Sequence, residues 1–177
     1  MLRSKLAPSF DEPLEMLEAC HERIEAQLHT LERLPAHLAR HGADAAAQEA
    51  ARAVMRYFDT AGVHHHEDEE RDLFPALRAA AARAGRGEVA AAIDALEGEH
   101  AAMRVLYERL RAGLEALCAG SAGLREKAAA EFARLYRRHM RTEAQLVFPF
   151  AREILGEQAR AALGGSMAAR RGASKLE

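Results

Sequence analysis

His21, His65, His100 and His139 are spaced so that a turn-like stretch lies midway between each successive pair. The midpoints fall in His41-Gly42-Ala43-Asp44, at the edge of Arg83-Ala84-Gly85-Arg86-Gly87, and in Ala119-Gly120-Ser121-Ala122-Gly123. Helices joined by short connections run antiparallel, and residues equidistant from the connection lie side by side. The spacing therefore predicts an all-α fold, an antiparallel up-down-up-down four-helix bundle, with four imidazoles at one level. Neutral imidazole is the commonest metal ligand among side chains.

The rest of the chain agrees with helices. Alanine, leucine, arginine and glutamate dominate, a mixture that favours helix. Leu14, Leu17, His21, Ile24, Leu28 and Leu31 step by three and four, as do Ile93, Leu96, His100, Met103, Tyr107, Leu110, Leu114 and Leu117. Val54, Phe58, Ala61 and His65 repeat the step, and so do Phe132, Leu135, His139, then Thr142 or Glu143, Leu146 and Phe150. Such a stripe faces a core, and each histidine takes a position that an apolar side chain would normally hold. The predicted helices cover about 12–39, 44–83, 88–119 and 122–155. Asp11 is a candidate cap and Pro13 suits a first turn, whereas Pro35 should kink the first helix or end it early. One domain is predicted over 10–156, followed over 157–177 by a short extra helix and a flexible tail that starts at Gly164.

The chain contains an internal repeat. His65-x3-Glu69-x3-Leu73-Phe74-Pro75 is echoed by His139-x3-Glu143-x3-Val147-Phe148-Pro149. A helix places residues i and i+4 on one face, so each histidine and its glutamate project together into the bundle. The prolines should kink their helices or mark local breaks. An unbroken helix would turn Phe74 and Phe148 away from the histidine face, so they are expected to pack near the bundle end and not beside a metal.

Six buried ionisable side chains without partners would be costly. Two cations remove the conflict if Glu69 and Glu143 each bridge both ions and the four histidines serve as terminal ligands, two per ion. Mixed imidazole and carboxylate donors suit iron, with manganese or zinc as substitutes, and six donors exceed the set of a four-coordinate structural zinc. A lone histidine in a helix seam is ordinarily a hydrogen-bonded core residue; four at one level, two with i+4 glutamates, form a site. His66 is a candidate additional ligand or an outer partner of one. Glu97, three residues before His100, is a further candidate metal ligand, while Glu18 is expected to accept a hydrogen bond or pair with a charge. His29, His37, His41 and His64 are read as surface or off-seam residues, and the run Glu67-Asp68-Glu69-Glu70 as a solvated face except for Glu69. Tyr57, Tyr107 and Tyr136 are read as core packing, and Cys20 as a small buried hydrophobe.

Composition excludes several function classes. The 177 residues carry a net charge of −2, which gives no basic surface for nucleic acid. Arg170, Arg171 and Lys175 form only a mildly basic tail, expected to be solvated. Residues 1–10 lack the apolar run of a signal peptide, and no stretch approaches the roughly 18 apolar residues of a membrane span. Two cysteines make no disulfide framework, so a cytoplasmic setting is expected. No nucleophile, phosphate loop or organic-cofactor motif stands out, and either a monomer or a homodimer fits.

At these residues the chain resembles the hemerythrin-like, or HHE cation-binding, family. The resemblance rests on Pro13 to Ile24 (PLEMLEACHERI), Tyr57 to Leu77 (YFDTAGVHHHEDEERDLFPAL), Glu99-His100 and Arg138 to Pro149 (RHMRTEAQLVFP). It implies a four-helix bundle around a non-haem di-iron centre of the Fe-O-Fe type. By position it makes His21, His65, His100 and His139 the terminal ligands and Glu69 and Glu143 the bridges. Members of the family bind oxygen, sense oxygen or iron, or take part in nitric oxide, peroxide and iron responses. Some supply an additional ligand directly after the second-helix histidine, where His66 stands. Two departures separate this chain from oxygen-carrying hemerythrins. Their second histidine in the third helix has no counterpart here, where Leu96 and Arg104 stand, and their His-x4-Asp pair in the last helix is replaced by His139-x3-Glu143. Simple reversible oxygen carriage is therefore not expected. The expected function is a metal protein that binds or senses O2, NO or H2O2, or handles iron, rather than an enzyme. The alternatives are a di-iron enzyme with peroxidase, catalase-like or ferroxidase-type activity, and a metal-free helical interaction module.

Overall fold

A computed structural model describes residues 8–121 and 123–173, and every regular element among them is helical. The helices are α1 (Pro13–His41), α2 (Ala45–Asp59), α3 (Ala61–Asp68), α4 (Phe74–Ala84), α5 (Gly87–Cys118), α6 (Glu126–Thr142), α7 (Phe148–Ile154) and α8 (Glu157–Arg170). A five-residue π turn, Glu69–Leu73, joins α3 to α4, and a second, Glu143–Val147, joins α6 to α7. The result is a helical bundle of four long rods: α1, α2 to α4, α5, and α6 to α7. α1 packs against α2 and α6, and α5 packs against the same two, which closes a ring.

Local chemistry sets most boundaries. Asp44 caps α2, its side chain accepting from the Ala47 N–H at 2.8 Å. Gly85, at φ 67°, ends α4 in the left-handed conformation that favours glycine. Thr60 interrupts the second rod; its hydroxyl donates to the Arg56 carbonyl at 2.6 Å, a back-bond that bends helices. α1 continues past Pro35 to His41, so the expected early end does not occur. Leu31 and Leu34, buried beside that proline, hold the segment in place against the loss of one backbone bond. Glu12, not Asp11, is the capping residue of α1, and its side chain makes no cap bond. The fourth rod begins at Glu126, later than expected.

The apolar stripes form two clusters rather than one. Ile24, Leu28, Leu31, Val54, Phe58, Met103, Leu110, Phe132 and Tyr136 belong to the first. Leu14, Leu17, Leu73, Phe74, Ile93, Leu96, Val147 and Phe148 belong to the second. On three rods the break between them falls at the histidine, and on the fourth it falls just after it, between Met140 and Val147. A polar layer therefore crosses the bundle between two dry blocks.

The two π turns explain the Phe-Pro repeat. A proline clashes with the carbonyl four residues earlier, and the wide turn opens at that point. The Phe74 N–H bonds to the Glu69 carbonyl, five residues back, and the Phe148 N–H to that of Glu143. Each turn absorbs one extra residue, which rotates the next helix by about 100° relative to an unbroken α-helix. Phe74 and Phe148 are thereby swung back toward the histidine face.

α8 extends further than expected, through Gly164 and Gly165 to Arg170. Glycine weakens an isolated helix, but here tertiary packing overrides it. α8 lies on α1, α3 and the first π turn, with Leu163, Gly164, Met167 and Ala168 buried. A Cβ at Gly164 would stand 1.9 Å from the Phe10 carbonyl oxygen, so only glycine fits. Gly164→Ala is expected to lower stability by about 1–3 kcal/mol, the usual cost of overpacking; an unchanged melting temperature would show that α8 does not dock as described. The last part of the expected tail, residues 174–177, and residues 1–7 lie outside the described residues. Among the described residues no helix is long and apolar enough to cross a membrane.

Candidate metal centre

Each rod delivers one imidazole to the polar layer. His21 comes from α1, His65 from α3, His100 from α5 and His139 from α6, and Glu69 and Glu143 open the two π turns. His65 Nε2 lies 3.2 Å from Glu69 Oε1, and His139 Nε2 lies 3.3 Å from Glu143 Oε1. The second oxygen of each carboxylate reaches across the bundle. Glu69 Oε2 is 3.3 Å from His100 Nε2, and Glu143 Oε2 is 3.0 Å from His21 Nε2. Each glutamate thus spans two imidazoles on different rods.

Ligand-capable atoms converge in two sets. His21, His65, Glu69 and Glu143 form one, and Glu69, His100 and His139 the other; within each set the atoms lie within 4.8 Å of one another. Glu69 belongs to both. His100 Nε2 and His139 Nε2 point at each other across 3.0 Å.

The donor set fits cations. Both oxygens of Glu69, both of Glu143, and the Nε2 atoms of His21 and His65 are buried without a hydrogen-bond partner. The imidazoles stand near the carboxylates but not along hydrogen-bond directions. Buried polar atoms are rarely left this way, and coordination would satisfy all of these atoms in one small volume. The protonation pattern carries the same strain. Burial and the adjacent Glu143 push the Glu69 carboxyl well above the usual range. Burial also works against ionisation of Glu143, but His139 and His21 hold its carboxyl well below that range. Burial, reinforced by His21, lowers His65, and burial together with His139 brings His100 to about 4. His139 is raised, to about 9: burial opposes its charge, but Glu143 and Glu99 together outweigh it. Without a cation, Glu69 favours its protonated form while Glu143 pairs with His139. Cations would allow both carboxylates to ionise.

The surroundings revise several expectations. Phe74 and Phe148 do not sit apart from the layer. The Phe74 ring stacks on His100 at 5.9 Å and the Phe148 ring lies 5.3 Å from His21, because the π turns rotate them inward. His66 is buried but belongs to neither set; its Nε2 meets the Tyr136 hydroxyl at 3.1 Å and its ring stacks on His100 at 3.9 Å. Glu97 lies outside the layer and pairs with Arg78 at 3.0 Å. Glu18 pairs with Arg152 at 2.7 Å. Cys20 is buried, and burial raises its thiol. Asp68 does not lie on a solvated face, nor Arg170 and Arg171 in a solvated tail. Asp68 is fully buried and both arginines grip it, because α8 covers that side of α3.

Four charged residues near the layer carry no signal in the sequence. Glu70 Oε1 lies 2.8 Å from His100 Nδ1 and accepts from Arg104 at 3.0 Å. Glu99 Oε2 lies 3.2 Å from His139 Nδ1, and its other oxygen accepts from Arg138 at 2.9 Å. Only Glu99 could have been noticed, as the neighbour of His100, yet it serves the histidine of another rod.

Comparison with known proteins agrees with this geometry. The chain is 33% identical over 164 residues to an uncharacterized protein of Haemophilus influenzae, with 92% of each chain covered. The sequence pattern of the Hemerythrin HHE cation binding domain matches residues 12–151, which contain all six side chains of the layer. The chain is a member of the hemerythrin HHE cation-binding domain family.

Proposed function

We propose that the protein holds two iron ions in the polar layer and uses them to bind or sense a small diatomic ligand or oxidant, such as O2, NO or H2O2, or to handle iron. His21 and His65 would serve one ion, His100 and His139 the other, and Glu69 and Glu143 would bridge. The observation that carries this reading is the pair of buried carboxylates, each with its two oxygens directed at imidazoles of two different rods. Imidazole and carboxylate donors suit iron, and also manganese or zinc. The short connections between α1 and α2, α4 and α5, and α5 and α6 support an antiparallel up-down-up-down order of the rods. Free thiols at Cys20 and Cys118 suit a reducing, cytoplasmic setting.

A bound iron pair supplies redox-active Lewis-acid positions for such a ligand. The chain's own residues prepare the place. Phe74 and Phe148 pack on His100 and His21 and exclude water from one side of the layer. A cleft of about 270 Å³, lined in part by Phe58, His66, Met103, Tyr107 and Tyr136, opens beside the layer and adjoins it through His66, whose ring stacks on His100. The Tyr136 hydroxyl and His66 Nε2, both in its lining, are hydrogen-bonded at 3.1 Å. That is room for a diatomic molecule or a peroxide.

Reconstitution with ferrous iron under anaerobic conditions tests the reading. About two irons per chain are expected, with changes in visible absorption on adding O2, NO or H2O2. Catalytic loss of peroxide, or oxidation of excess ferrous iron, would move the assignment to a di-iron enzyme. Metal content near zero after growth in iron and after reconstitution would leave a helical interaction module.

A further inference from the structure

We propose that Glu70 and Glu99 are positioning residues for one half of the centre, the half of His100 and His139, so that the two cations are held unequally and load and leave in two steps. The proposal rests on the two-cation reading above.

The two halves differ in what stands behind the ligands. Glu70 accepts a hydrogen bond from His100 Nδ1–H and Glu99 one from His139 Nδ1–H, at 2.8 and 3.2 Å. A carboxylate in that place fixes the tautomer, leaves the Nε2 lone pair for a cation, and makes the imidazole a stronger donor. Each carboxylate is held in turn by an arginine, Glu70 by Arg104 and Glu99 by Arg138. The His100 ring also stacks on His66 at 3.9 Å and on Phe74 at 5.9 Å, both nearly parallel to it. This half is set before a cation arrives.

The other half has no such support. His65 Nδ1 is buried without a partner. Among the described residues the one carboxylate within ion-pair reach of His65 is Glu69, and the one within reach of His21 is Glu143. Both are inner donors. His21 also reaches the surface, with 13% of its side chain exposed, whereas His100 and His139 are closed off. Its ring touches His65 edge-on and Phe148 at a tilt, and among the described residues no outer carboxylate stands behind it. Pairwise, each bridging glutamate presents one oxygen to each half, but Glu143 converges with the other donors only on the side of His21 and His65. The outer carboxylates are the difference that favours the half of His100 and His139. A centre of this kind passes through a half-loaded form when iron is scarce, which gives a chain that handles or senses iron a graded response.

Anaerobic titration of the metal-free chain with ferrous iron against a competing chelator tests this. Wild type should fill in two resolved steps. Glu70→Gln with Glu99→Gln should weaken one step about 10–100-fold, the usual effect of losing such a partner, and leave the other unmoved, with metal-free helix content and melting temperature retained. On a His100→Ala background, Glu70→Gln should change nothing further, whereas on a His21→Ala background it should still weaken the remaining ion. A merely structural role would lower retention on both backgrounds. Arg104→Ala with Arg138→Ala, at exposed positions, gives a milder version should the glutamine pair fold poorly, weakening the same step less. Two ions that fill in one step and are indifferent to Glu70→Gln and Glu99→Gln would overturn this proposal and leave the two-cation reading intact. A wild-type chain that takes up no iron would overturn both.

Discussion

Glu69→Met should raise the melting temperature of the metal-free protein and abolish the rise that iron gives to wild type. The two effects have opposite signs because the same side chain is a liability without a cation and a ligand with one. In the metal-free layer both Glu69 oxygens are buried and unpartnered, and an unsatisfied buried group costs about 1–3 kcal/mol. Methionine has a similar shape to glutamate and no such atoms, so the metal-free variant should melt roughly 2–12 °C higher, at about 2–4 °C per kcal/mol for a domain of this size. Wild type at free iron near 1,000 times its dissociation constant gains about 4 kcal/mol, roughly 8–16 °C on the same scale. The variant should gain nothing. The pH dependence comes from the raised carboxyl of Glu69. Its protonated form contributes stability that is complete below the ordinary carboxylate range and is lost as pH rises through its raised folded value. Metal-free wild type should therefore lose stability over that interval, and Glu69→Met should not show this component. Calorimetry with and without iron checks each point. A metal-free variant no more stable than wild type would mean that the layer satisfies its carboxylates by other means. A full iron-induced rise in the variant would remove Glu69 from the ligand set.

The level of the site was legible in the sequence because it depends only on arm lengths and helical period. Equal distances from His21, His65, His100 and His139 to three turns fix a cross-section, and i to i+4 spacing fixes which carboxylates join it. What the sequence hid is of two kinds. Local exceptions to the period hid Phe74 and Phe148: a single π turn before Pro75 or Pro149 rotates both rings onto the layer, and the α-helical extrapolation places them on the wrong face. Tertiary context hid the rest. Gly164-Gly165 reads as a helix end, yet the close approach of the Phe10 backbone makes glycine the residue that a helix needs there. Asp68 sits in an acidic run that looks solvated, and its burial depends on a helix about a hundred residues away in the chain. Glu70 and Glu99 reach histidines on other rods, at separations that no local pattern records. The position of His66 beside His65 marks it as a neighbour of the layer, but only the fold shows that its Nε2 is taken by Tyr136.

Replacing Arg170 and Arg171 together by alanine should produce the largest loss of stability available outside the apolar core. Asp68 is fully buried, and both arginines pair with it. Arg170 also holds Asp72 at 2.6 Å, and Arg171 donates to the Met167 carbonyl at 3.0 Å. Removing both cations strands a carboxylate in the interior, for which about 3–5 kcal/mol is typical, roughly 6–20 °C of melting temperature. Asp68→Asn should cost much less, because the amide is neutral and the two arginines, still partly exposed at 13% and 19%, can turn to water. That asymmetry separates a stranded charge from a merely lost contact. One relief route limits the loss: α8 can swing off and let water reach Asp68, so the cost cannot exceed the docking free energy of α8. In that case hydrogen exchange across Glu157–Arg170 should rise sharply in the double variant while α5 stays protected. Asp68 directly precedes Glu69, so unlatching α8 also frees the first π turn, and the double variant should release iron to a chelator faster than wild type. A double variant that melts within a degree or two of wild type, with α8 still protected, would show that the arginines do not stabilise Asp68 and that the π turn is held by the apolar packing of Leu73 and Phe74 alone.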